Sequence, residues 1–307
     1  IEIFNPNNNT VIGSAEIAVS WRIEDITKVV CEIKLDDGEW VNVTGHFEYM
    51  FKNISEGHHI IRLRAVDAAG HETIAKVNIL VDLSSPVVVV VSPGNNSVAG
   101  LDTLRVQWEV SDLSSVAYVG ITLDYGEWIN VTGCHEYTFE NISEGNHAIC
   151  LRAVDVVGHE TIIRIYTVID LSPPIVTIIS PENGTAIESN AICVRWNVTD
   201  ISFVSSVMIR LDNGTWINVT EVTEYTFQNV STGRHTIYIV AEDVVGHETI
   251  LKIIILVTCS MEVETPEKMR EEYSNMQILI SSLTITLLAM LAIIVVYSRK
   301  AGAKSST

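Results

Sequence analysis

The 307-residue chain lacks any convincing amphipathic helix before residue 265, so most of its length has to be built from strands and turns. It is also short of positive charge, with 19 Lys and Arg against 38 Asp and Glu. None of the acidic residues lies beyond Glu272, while Arg299, Lys300 and Lys304 do, so the first 277 residues carry 16 basic against 38 acidic side chains, a net charge of about −22. Such a surface repels nucleic acid and anionic lipid and can attract divalent cations. The chain opens at Ile1 with neither an initiator Met nor a basic and apolar leader, from which removal of a signal peptide or a longer segment is expected.

Cysteine forms no repeated framework, since no two copies of the repeat described below carry it at equivalent positions. By strand alternation Cys31 points inward as a buried free thiol, Cys150 and Cys193 point outward, and Cys134 lies in a loop. Cys134 and Cys150 share a unit and are the candidate disulfide. Catalytic constellations are missing too. His71, His159 and His247 recur, but no Ser or Cys nucleophile recurs with them, and neither His-Glu-x-x-His nor a glycine-rich phosphate loop is present. These histidines read as a turn and edge-strand feature, and the chain reads as a non-enzyme.

What the chain does have is one unit written three times. Leu35–Thr73, Leu123–Thr161 and Leu211–Thr249 align with their landmarks in register: Trp40, Trp128 and Trp216 fall 88 residues apart, as do Gly70, Gly158 and Gly246. A fixed period that long marks whole domains in series, because shorter solenoid repeats bury their core only against neighbours. The expected boundaries are 1–85, 86–173 and 174–258 for three domains. They are followed by a juxtamembrane stalk at 259–277, a transmembrane helix at 278–297 and a cytoplasmic tail at 298–307.

Within the second unit, Leu104, Val106, Trp108 and Val110 alternate with Arg105, Gln107 and Glu109, giving a strand with one buried and one wet face. Strands are expected at Val87–Ser92, Leu104–Val110, Ala117–Leu123, from Trp128, and at His135–Phe139, His147–Val154 and Thr161–Ile169. About seven short strands in under 90 residues, broken by turns every 8 to 12 positions, predict an immunoglobulin-like β-sandwich. The fold class is therefore all-β, three tandem immunoglobulin-like sandwiches followed by one C-terminal transmembrane α-helix.

The boundary Asp170-Leu171-Ser172-Pro173-Pro174, the segment that follows it, Trp196 on the second strand and the closing Ala-x-Asp-x-x-Gly-His pattern resemble the tandem bacterial and archaeal Ig-like repeats of surface proteins. That resemblance covers nearly all of residues 1–258 and implies extracellular stalks and adhesins, with no site residues attached. The antibody-type pairing of two core cysteines with a Trp on the third strand is absent, which argues against the eukaryotic receptor branch.

The joints Asp82-Leu83-Ser84-Ser85-Pro86 and Asp170–Pro174 contain no Gly and carry Pro, which fixes its own φ and pushes the preceding residue to extended geometry. A stiff rod on the order of 100 Å follows if each unit contributes about 30 to 40 Å of strand length. Further on, Thr265-Pro266-Glu267 is a helix start, with Thr placed to cap and Pro in the first turn. Ile278–Tyr297 then runs twenty residues without a charge, enough at ~1.5 Å each for the ~30 Å hydrocarbon core. Glu271 and Glu272 before the span and Arg299 and Lys300 after it put the sandwiches outside and the tail inside.

Eleven Asn-x-Ser/Thr sequons, at Asn8, Asn42, Asn53, Asn95, Asn130, Asn141, Asn183, Asn197, Asn213, Asn218 and Asn229, all precede the span and point to a glycosylated ectodomain. The functional expectation is a glycosylated, membrane-anchored stalk or adhesion protein of a cell envelope of archaeal character. Its partners would be the membrane and other surface proteins or glycans, not nucleic acid. The alternatives are a receptor that binds a glycan or peptide through its outermost domain, or the anchor of a further N-terminal domain. No cofactor is expected except calcium at the joints, where Asp82, Asp112 and Asp155 converge at the first and Asp170, Asp200 and Asp243 at the second if the domains stack as sandwiches do. The competing reading has each Asp closing its own turn on nearby backbone N–H groups.

Overall fold

The computed structural model describes residues 1–25, 28–258 and 266–302. It shows three sandwiches, each a three-stranded sheet facing a five-stranded one, and one helix. In the second repeat the smaller sheet is Glu136–Phe139, Leu104–Ser111 and Val87–Ser92, and the larger runs Ser97–Ala99, Glu160–Ile169, Gly145–Asp155, Val116–Leu123 and Ile129–Asn130. Pairing is antiparallel except for the short strand Ser97–Ala99, which runs parallel to Glu160–Ile169 with Ser97 opposite Thr167. That strand, Thr10–Ile12 in the first repeat and Ala186–Ile187 in the third, is the eighth of each unit. Three residues or fewer leave too little alternation for sequence reading to register.

The strand centred on Trp108 shows why these residues form this fold. Leu104, Val106 and Trp108 are buried while Arg105 and Glu109 are exposed, so the period-2 pattern puts one whole face into the core. Trp108 packs there with Ile121, Ile149, Leu151 and Ile169 from the opposite sheet. Trp21 is its counterpart in the first repeat, against Ile33, Ile61, Leu63 and Ile79, and Trp196 is equally buried. Burying such side chains stabilises a sandwich by roughly 1.5–3 kcal/mol each. The recurrent Trp128 and Trp216 are not core residues. They are more than a third exposed, and the Arg210 guanidinium stacks 4.4 Å from the Trp216 ring centroid.

The hairpin between the last two long strands turns at Gly158, with φ +99°, a region L side chains avoid. Asp155 braces it: its Oδ1 accepts the backbone N–H groups of Val157, Gly158 and His159 at 2.8, 2.6 and 2.9 Å. The same brace recurs from Asp243 to Val245, Gly246 and His247.

Cys150 points away from the core, as strand alternation indicates, yet it is only 2 % exposed. It lies on the outer face of its sheet, opposite Thr122 and Arg164 in register, where Tyr125 and Tyr166 come together beside it. Cys134 and Cys150 are both free thiols, not a disulfide. Cys134 sits in an exposed loop near Val116 and Val119, whereas Cys150 pairs three residues further along that strand, roughly 10 Å away at ~3.3 Å per residue and on the other face. Cys31 is buried and Cys193 exposed.

The helix runs Pro266–Gly302, so it takes in most of the expected stalk as well as the span. Within Arg270–Ile294 an 18-residue window reaches a mean hydropathy of 2.2 with none of it buried, a composition and length able to cross a membrane. Thr265 and the last residues of the tail lie outside the described residues.

Candidate functional site at the joints

Each linker is held by the repeat it leaves. The Asp82 N–H donates to Ile12 O at 3.0 Å and Leu83 N–H to Glu56 Oε1 at 3.0 Å. At the second joint the Asp170 N–H donates to Ala99 O at 2.9 Å, and the Ser172 hydroxyl donates to Glu144. The serine and backbone contacts at Ser84 and Leu83 hold the Glu56 carboxyl below the usual range. Beyond the linker the next repeat closes in. A Cβ added to Gly13 would meet Val157 Cβ at 2.9 Å, and one added to Gly100 would meet Val245 Cβ at 3.0 Å. The close approach of the following hairpin leaves no room for a side chain at Gly13 and very little at Gly100.

Against this packing the joint collects ionisable groups. Asp82 and Asp170 are fully buried and Asp155 and Asp243 nearly so. Asp82, Asp155 and His159 each place one ligating atom within 4.8 Å of the others, and Asp170, Asp243 and His247 repeat the arrangement. His159 Nδ1 lies 2.9 Å from Asp155 Oδ2 and His247 Nδ1 3.0 Å from Asp243 Oδ2. His247 Nδ1 is also 3.9 Å from Asp170 Oδ1. Asp112 and Asp200, expected as the third carboxylate at each joint, use one oxygen to accept the N–H and hydroxyl of Ser114 and Ser202 at 2.8–3.0 Å. Asp112 faces Asp82. The histidines are the members that sequence reasoning assigned to the turn alone; their spacing of four from the bracing Asp is what carries Nδ1 back onto its carboxylate.

Burial drives the electrostatics. It pushes the Asp112 carboxyl up against the Ser114 hydrogen bonds, with Asp82 beside it adding to the rise. It also pushes Asp170 up, together with the charges of Asp200 and Asp243. In Asp82 burial acts in the same direction, but the polar groups of Ser114, Asp112 and Ser84 and the His159 charge outweigh it and hold the carboxyl low. Asp243 is low for a similar reason: three backbone N–H groups and His247 overcome its burial.

The eleven sequon asparagines are all exposed, Asn197 among them. Most also have a place in the fold. Asn42, Asn130 and Asn218 accept the N–H of the Thr two residues on at 3.0 Å. Asn53, Asn141 and Asn229 occupy φ near +56 to +58°, or +55° for Asn141, a region Asn tolerates. Asn8, Asn95 and Asn183 accept a strand N–H from Asn78, Tyr166 and Ile254.

Residues 174–239 match the family model described as a bacterial Ig domain. A search of curated proteins found none that matches. Among solved structures the chain is similar to the fibronectin(III)-like modules of Clostridium thermocellum CbhA, with 22% identity and a TM-score of 0.33, covering 54% of this chain and 92% of that one. It is also similar to three N-terminal domains of the bacteriophage RB49 outer capsid protein Hoc, with 8% identity and a TM-score of 0.44, covering 84% and 98%. Titin domains I67–I69 give 11% identity and a TM-score of 0.43, covering 83% and 95%.

Proposed function

We propose that the chain is a glycosylated cell-surface stalk of the adhesion type: a series of Ig-like repeats held off a membrane by the C-terminal helix, with the repeats outside and the Arg299, Lys300 and Lys304 tail inside. The domain boundaries are those of the repeat, 1–85, 86–173 and 174–258. The observation that carries the reading is that the joint is built twice from the same parts. Gly13 and Gly100 admit the next hairpin, Glu56 and Glu144 hold the linker, and Asp82 and Asp170 are buried where the linker begins. A joint with buried contacts on both sides resists bending, whereas a Gly/Ser tether behaves as a coil.

The exposure of every sequon asparagine supports a glycan coat, and the apolar helix after the repeats supports an anchor. Neutron scattering from the full chain in contrast-matched detergent tests the reading. An elongated ectodomain on the order of 100 Å, from about 30 to 40 Å per sandwich, is expected; a compact particle or a broad distribution of lengths overturns the stalk.

A further inference from the structure

The joint carboxylates are not all explained by turn closure. Asp82 Oδ1 accepts the Ser84 N–H and hydroxyl at 3.3 and 3.4 Å, but its buried Oδ2 meets no well-placed N–H or hydroxyl donor, although the Ser114 and Asp112 side chains lie close to the carboxyl. Asp112 Oδ1 and Asp170 Oδ2 are buried and unpartnered in the same way. In Asp155 and Asp243 the three backbone N–H groups occupy Oδ1, leaving Oδ2 with the histidine Nδ1 as its only neighbour named above. Buried carboxylate oxygens without donors are costly unless a shared proton, as between Asp112 and Asp82, or a bound cation stands between them.

We propose that each of the two joints binds one divalent cation of the borderline class, Zn²⁺ fitting best. At the first joint the ligands are Asp82 Oδ2, Asp155 Oδ2 and His159 Nδ1, with Asp112 Oδ1 beside them; at the second they are Asp170, Asp243 and His247, with Asp200. The imidazole selects the class. Calcium takes six to eight oxygen ligands, whereas Zn²⁺ accepts imidazole and carboxylate together. Bonds of roughly 2.0–2.2 Å place neighbouring ligand atoms about 2.9–3.5 Å apart. The Nδ1···Oδ2 distances of 2.9 and 3.0 Å suit a direct hydrogen bond and a shared metal alike, and His247 Nδ1 lies 3.9 Å from Asp170 Oδ1, whose neighbouring Oδ2 is the unpartnered oxygen. The chain also carries its own controls. Asp67 and His71 form the same clasp at 2.8 Å in the first repeat, where the described residues add no third ligand within reach, and Thr258 stands at the exit of the third repeat where Asp82 and Asp170 stand at the others. The described residues therefore offer two such sites.

The test uses the full chain in detergent, stripped with a chelator and then titrated with Zn²⁺, Mn²⁺, Ca²⁺ or Mg²⁺, with bound metal counted by mass spectrometry. Two Zn²⁺ per chain are expected, bound at least tenfold more tightly than Ca²⁺, surviving excess Mg²⁺, and raising the unfolding temperature. Asp82→Asn should leave one ion, Asp82→Asn with Asp170→Asn none, and His71→Ala the full two. His159→Gln, whose amide can still bond Asp155, should lose one ion with the hairpin intact by circular dichroism, which separates ligation from folding. No saturable Zn²⁺ or Mn²⁺ binding, Ca²⁺ binding as tight as Zn²⁺, or an equal loss in His71→Ala overturns the proposal.

Discussion

Thr132 offers a way to separate what the sequon does for the fold from what it does for a glycan. Its Oγ1 accepts the Val119 N–H at 2.9 Å and donates to Asn130 Oδ1 at 2.8 Å. The equivalent Thr44 and Thr220 hydroxyls accept the N–H groups of Cys31 and Val207 at 3.0 Å. Thr132→Ala removes the hydroxyl and leaves a strand N–H at the edge of the core without its acceptor. Because Thr132 is itself exposed, water replaces part of the bond, so the cost lies near ~1 kcal/mol, at the low end of the ~1–3 kcal/mol range for an unmade bond. For a unit of this size ~1 kcal/mol lowers the midpoint by roughly 4–8 °C. Asn130→Asp abolishes the sequon equally well but keeps the oxygen that accepts the Thr132 N–H, so it should cost under about 0.5 kcal/mol, as surface changes do. Differential scanning calorimetry on chain made in a host that does not glycosylate reads the fold term alone. If Asn130→Asp and Thr132→Ala melt together, the hydroxyl brace has no role and the reasoning fails.

Two further outcomes follow from the ionisation of single groups. Burial raises the Cys31 thiol to about 11, so at pH 8 a maleimide should label exposed Cys134 and Cys193 rapidly but Cys31 and buried Cys150 only after unfolding, as peptide mapping would show; fast labelling of Cys31 would contradict its burial. In the first repeat the Asp67 carboxylate raises His71, and the His71 contact lowers Asp67. The contribution of a raised histidine is complete below its unfolded value near 6.5 and fades as pH rises through the folded one, while that of the lowered Asp is present above about 3.8 and fades on acidification. Proton NMR should place the His71 midpoint above about 6.5 and return it there in Asp67→Asn; an unchanged midpoint would mean the clasp does not form in solution.

The sandwich was legible because its signals are local. The strand Leu104–Ser111 announces itself through Leu104, Val106 and Trp108 at period 2, and the last hairpin through Gly158. The parallel strand Ser97–Ala99 was not, since three residues show no period and its partner lies 70 positions away at Thr167. The burial of Cys150 was not legible for a related reason: alternation tells which face of a sheet a residue is on, but not that Tyr125 and Tyr166 come together beside it. The recurring sequons mislead in a third way. Nine of the eleven fall at three places in the repeat where the fold uses Asn or the Ser/Thr after it, so their number reflects the repeat as well as any glycan. Only Asn197 and Asn213 fall outside that pattern.

The joint is where the three copies differ in a way the sandwich itself does not require. On the exit side the first two repeats carry Gly13 and Gly100, Glu56 and Glu144, and Asp82 and Asp170; the third carries Glu188, Thr232 and Thr258 at those positions. Yet the third repeat has the same strands as its siblings, and its Thr258 N–H still donates to Ile187 O at 3.0 Å as Asp82 does to Ile12. The exit residues are therefore dispensable for folding a unit, and their presence in two copies answers to the repeat that follows each. Val157 and Val245, which meet the incoming glycines, become Ala69 in the first repeat, while the bracing Asp and His persist in all three because each hairpin needs them. Among the described residues the buried carboxylates, Asp82, Asp155, Asp170 and Asp243, lie at the two joints, and it is the pairing of sides, not the acidity of the chain, that makes those places distinct.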